Sequence, residues 1–154
     1  MFKKLFIPSD DSDLTHMALL VARLWFGLTM LFNHGFEKLA HFNDIVGTFP
    51  DPLRFGQEAS LVLVIFAEVL GSLLLTVGLC TRVAASVLVV DMFVAFLMVH
   101  KTAMTAVTVQ GVGEQAFLYL AGYVMLVIAG GGLFSLDTVA FAKSGRSRLQ
   151  QRAG

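Results

Sequence analysis

Seven ionisable residues sit where an apolar chain would not place them by chance. Arg23, Glu68 and Asp91 interrupt long hydrophobic runs, while His34, Lys38, His100 and Glu114 lie near the ends of such runs. One arginine can receive two carboxylates through its forked donors. With two acids to one base, the trio is net negative unless Glu68 or Asp91 holds a proton. It is therefore either an ion-pair network that fixes helix register or a proton acceptor and donor beside a bound cofactor. The second set combines two imidazoles, an ammonium and a carboxylate at one level of the molecule. Lys38 and a protonated histidine suit an anion or a quinone carbonyl, with Glu114 orienting the histidine.

Other chemistries find less support. His34, His100 and Glu114 could ligate a metal by residue type, but they lack recognisable local metal spacing, and no metal is assigned. Cys80 is the sole cysteine, so a dithiol shuttle is excluded and a packing role is expected. Gly130-Gly131-Gly132 follows an apolar run and has neither the lysine nor the strand of a phosphate-cradling loop. The basic tail is too short for nucleic-acid binding to be expected. A quinone also needs an apolar slot, which Trp25, Phe26, Phe96 and Tyr119 are placed to line.

The elements that position these residues are four apolar stretches, roughly Met17–Phe36, Ala59–Cys80, Val83–Val99 and Phe117–Phe134. Apolar residues make up 56% of the chain and charged ones 14%, against about 25% charged in a soluble domain. The mean hydropathy is +0.78. A bilayer core needs about 20 apolar residues per helix, and a charge at that depth costs at least about 2.5 kcal/mol. The charges should therefore face inward, in an all-α, integral membrane antiparallel four-helix bundle. Arg23, Gly27, Met30, His34 and Lys38 fall near one helical stripe, and Glu68, Gly71, Ser72 and Leu75 near another. Asp91 and His100 are nine residues apart, about half a revolution on an uninterrupted helix. Glu114 should stand in the first turn of the fourth helix, where the macrodipole favours it.

The segment His41–Glu58 contains Pro50 and Pro52 and is too polar to span. It reads as an interfacial piece with Phe42, Phe49 and Phe55 dipping inward, or as a lid over the bundle mouth. Lys3 and Lys4 precede the first span, Arg82 lies in the short Thr81–Arg82 turn, and Lys143, Arg146, Arg148 and Arg152 follow the last. The positive-inside rule then puts both termini in the cytoplasm. Residues 1–14 form a lead-in without the apolar run of a signal peptide, 15–140 the membrane domain, and 141–154 a basic tail.

Taken in order, several short pieces resemble the DoxX family of small four-span membrane proteins. They are Arg23, His34-Gly35-x-x-Lys38, Glu68-x-x-Gly71, Gly78-Leu79-Cys80-Thr81-Arg82 with Ala84 and Ala85, His100, Glu114, and Gly130 through Asp137. Gly131 stands where the family's usual ending has proline. The resemblance implies a multi-pass protein of a bacterial-type cytoplasmic (inner) membrane, linked to quinone-dependent redox systems. The expected role is a quinone-binding or accessory subunit, working as a homo-oligomer or with a partner redox protein. A non-catalytic assembly subunit and a small transporter are the alternatives.

Overall fold

The computed structural model describes residues 12–99 and 112–140. Among these residues every regular element is helical, and none is a strand. Four long helices dominate. α1 runs over Ser12–Met30, passes through a π-helical turn at Leu31–Gly35 and resumes over Phe36–Ala40. α2 repeats the pattern, with Gln57–Phe66, a π turn at Ala67–Gly71, and Ser72–Val77. α3 covers Thr81–Val94 and ends in a third π turn, Ala95–Val99. α4 covers Val112–Ala129. A helical turn at Phe42–Ile45 and a 3-10 turn at Val46–Thr48 lie between α1 and α2.

Two boundaries differ from the sequence reading. α1 continues past Phe36 because Glu37-Lys38-Leu39-Ala40 is polar at two places but made of good helix formers. The reversal between α2 and α3 occupies Gly78–Cys80, so Thr81 already begins α3. Gly78 ends α2 in the left-handed region at φ +74. The Leu79 N–H donates to the Leu74 carbonyl at 2.9 Å and that of Gly78 to Leu75 at 3.1 Å, which closes the helix in a Schellman arrangement. Cys80 follows at φ +50 and is exposed, not a packing residue as expected, because the turn holds it outside the helix contacts.

α1 runs antiparallel to α2, its Ser12–Met30 part packing on Ser72–Val77, while α3 packs along α4. Gly27 lets α1 approach Ser72 and Thr76, and Gly122 of α4 leaves room for the Phe26 ring. The core is drawn from all four helices, including Met30, Leu75, Leu88, Phe96, Tyr123 and Leu126. The outer surface is also apolar, with Trp25 68% and Ile128 73% exposed. Among the described residues two helices, Asp13–Ala40 and Gln57–Val77, are long and apolar enough to cross a membrane.

The antiparallel packing corrects one expected grouping. Arg23 does not meet Glu68 and Asp91; it lies at the opposite end of the molecule. Lys38 is fifteen residues further along α1, roughly 22 Å by helical rise, and Gly35 rather than Arg23 abuts the Glu68 backbone. Arg23 is fully buried against Gly78, and its Nη2 donates to the Phe134 carbonyl at 2.7 Å. Beside it, the Asp137 carboxylate accepts the N–H groups of Cys80 at 2.6 Å and Thr81 at 2.9 Å, capping α3 from a distant part of the chain. The Asp137 N–H returns a bond to the Gly78 carbonyl at 2.9 Å. Burial opposes ionisation of Asp137, yet those N–H donors and the Arg23 charge outweigh it and hold its carboxyl below the usual range. Arg82 completes this end by donating to the Ile128 carbonyl at 3.2 Å, a cation at the C-terminus of α4.

Candidate functional site

At the other end of the helices lies a cavity of about 560 Å³, lined mostly by apolar side chains. Four of the seven ionisable residues singled out from the sequence reach it: His34 and Lys38 from α1, Glu68 from α2 and Asp91 from α3. Lys38 Nζ donates to both Glu68 oxygens, at 2.7 and 2.8 Å. Glu68 is only 2% exposed, so this ion pair is largely withdrawn from solvent. Asp91 is less fortunate. Among the described residues its Oδ2 is buried without a hydrogen-bond partner, a costly state that a ligand donor or a proton would relieve. His34 stands edge-on to Tyr119, with ring centroids 5.6 Å apart.

All three π turns supply the cavity wall, through His34, Ala67, Glu68 and Ala95. A π turn inserts a residue into the helical register and often occurs at functional sites. Periodicity arguments based on regular helices could not place these turns, and the one in α3 falls between Asp91 and His100.

The remaining expectations divide. Glu114 does stand in the first turn of α4 but is exposed, and its neighbour Gln115 lines the cavity instead. Gln115 precedes Tyr119 by one helical turn, a signal that the Tyr119–Tyr123 stripe carried. His100 lies outside the described residues. Of the four aromatics assigned to a slot, only Tyr119 lines the cavity. Trp25 faces outward, Phe26 packs edge-on to Tyr119 and Tyr123, and Phe96 packs on Phe117. Among the described residues no cluster of His, Cys, Asp and Glu is arranged to hold a metal.

The segment before α2 closes one side of the cavity with Phe49, Pro50, Leu53 and Phe55. Asp51 fastens it: Oδ1 accepts the Phe55 N–H at 2.9 Å and the Ser60 hydroxyl at 2.8 Å, and Oδ2 accepts the Gly56 N–H at 2.8 Å. The Ser60 hydroxyl, assisted by these N–H donors, holds the Asp51 carboxyl below its usual 3.8. A depressed carboxylate contributes stability above its unfolded value and loses it as pH falls through the folded one. Amide exchange should therefore show the Phe55 and Gly56 N–H groups fully protected above about pH 4 and progressively released below it. Asp51→Ala, which removes both acceptor oxygens, should release them at neutral pH as well. Protection unchanged in that variant would remove Asp51 as the fastening.

The DoxX family profile matches residues 18–101, which runs from within α1 through α3 and stops before Glu114 and the Gly130–Asp137 ending. An uncharacterized protein of Haemophilus influenzae is 36% identical over 78 residues, 49% of this chain. The chain spans 58% of that relative's length. No solved structure matches the chain. With the family profile spanning more than half of its residues, the chain belongs to the DoxX family.

Proposed function

We propose that this chain is a multi-pass protein of a bacterial-type inner membrane, in which α1 to α4 form an antiparallel four-helix bundle with both termini cytoplasmic. Within it, the cavity binds a quinone for a membrane redox system, as a quinone-binding or accessory subunit. The outward-facing apolar side chains support the membrane placement, since lipid rather than water is the solvent that tolerates them.

The observation that carries the ligand reading is the pairing of an apolar cavity with a buried, unpartnered Asp91 oxygen beside a closed Lys38–Glu68 pair. The volume falls within the roughly 300–1,000 Å³ usual for small-molecule sites. A quinone supplies two-electron, two-proton redox chemistry when bound. Lys38 has a third N–H to offer a carbonyl, and His34 can offer another. Asp91 can accept a hydroxyl proton or donate a held one. Glu68 keeps the ammonium oriented and neutralises its charge, so the site is close to uncharged when Asp91 holds a proton.

Purified protein should gain thermal stability with a benzoquinone added, by about 2.7 kcal/mol at a hundredfold excess over Kd. His34→Gln and Asp91→Asn should lose that gain while the ligand-free melting temperature stays within a few degrees. A wild-type protein that no quinone stabilises sinks the proposal. Should His34→Gln also leave a partner's activity intact, the assembly-subunit reading takes its place.

A further inference from the structure

We infer that the cavity is filled sideways from the lipid phase, by a ligand whose polar head reaches Asp91 and whose aliphatic tail leaves between α2 and α3. This rests on the quinone reading above and adds the route and the part of the ligand that uses it. Three observations support it.

First, the α2–α3 hairpin opens away from its turn. α3 packs on the Ala67–Gly71 and Ser72–Val77 parts of α2, whereas Gln57–Phe66 packs on the Val46–Thr48 turn and the end of α1. Second, the side chains flanking that opening both line the cavity and face outward. Leu63 of α2 is 53% exposed, and Val87 and Val90 of α3 are 40% and 63% exposed. Third, polarity is graded. These three flanking residues are aliphatic, while Lys38 and Glu68 meet in a pair whose carboxylate is nearly inaccessible. Val87 and Val94 stand one helical turn before and after Asp91 and line the cavity with it, so a head at its free oxygen lies next to the aliphatic wall.

The energetics favour this direction. A tail moving from lipid into an aliphatic slot gains little hydrophobic free energy, so leaving it in the bilayer costs almost nothing. Drawing it past the Asp51-fastened segment through water would expose apolar area at about 25 cal/mol per Å². The side opening avoids that barrier.

The test compares a benzoquinone carrying a decyl tail with the same head lacking the tail, on purified protein in lipid nanodiscs. Val90→Trp should weaken the tailed ligand at least about tenfold more than the tail-less one, read as a ratio of dissociation constants. Equal losses, or no loss, would overturn the side route while leaving quinone binding intact. Wild-type protein that binds neither head removes both readings. Independently of any variant, a photoreactive group at the tail end should label peptides around Leu63 and Val90. Labelling confined to Phe49–Phe55 would overturn the route even if Val90→Trp proved unstable.

Discussion

Lys38→Met should be among the most damaging single substitutions in the chain, lowering stability by about 3–5 kcal/mol. The reason is the asymmetry of buried ion pairs. The Lys38 ammonium contacts both Glu68 oxygens, and Glu68 retains only 2% exposure. Removing the cation leaves a carboxylate facing an apolar wall and Asp91, a second acid on the same cavity. Removing both charges is a different matter, because a well-packed apolar pair avoids the desolvation penalty altogether. The double variant Lys38→Met with Glu68→Met should therefore recover most of the lost stability. A thermal-denaturation cycle over the wild type, two singles and the double gives the coupling directly. Additive losses would mean that the pair does not hold α1 to α2. If the cavity holds a quinone as proposed, the double variant should fold yet fail to bind it, which separates the structural role of the pair from its role toward a ligand.

Much of this was legible from residue types alone. Hydropathy located the four long helices, and the stripe through Met30, His34 and Lys38 correctly gathers residues that line one cavity. The pairing of Lys38 with Glu68 was not legible. Charge counting favoured Arg23, a deeper and stronger partner for carboxylates, but antiparallel packing sets Arg23 beside the α2–α3 turn and Lys38 at the level of Glu68. Sequence distance along a helix becomes height in the packed structure, and only the connection geometry says which heights coincide. The π turns were illegible for a related reason. They cost nothing in composition, yet each shifts every later side chain around the helix by about one residue's rotation. Gln115 in place of Glu114 shows the same sensitivity on α4, where of two exposed neighbours only one reaches the cavity wall. The short motifs fared differently. Gly78 to Arg82 and Gly130 to Asp137 are widely separated in sequence, and the fold joins them around Arg23, far from the cavity.

That junction yields the second large effect. Gly78→Ala should cost about 2–5 kcal/mol, combining a left-handed backbone with a steric conflict. At φ +74 an L-residue is already strained, and an added Cβ would run into Arg23 Nη1 and crowd Ser135. Arg23 has little freedom to yield. It is wholly buried, and its Nη2 is held on the Phe134 carbonyl. Gly56 provides the internal comparison, since it too has positive φ, at +98, but nothing lies within 4 Å of its would-be Cβ. Gly56→Ala should therefore show backbone strain only, about 1–3 kcal/mol for its φ +98, ψ 145 conformation. Arg23→Ala removes the obstructing guanidinium, so combining it with Gly78→Ala should cost clearly less than the sum of the singles. If the combined loss were simply additive, Gly78 would be required for its backbone angle alone. The close approach of Arg23 to the α2–α3 turn would then contribute nothing to holding α3 and the 130–137 ending together.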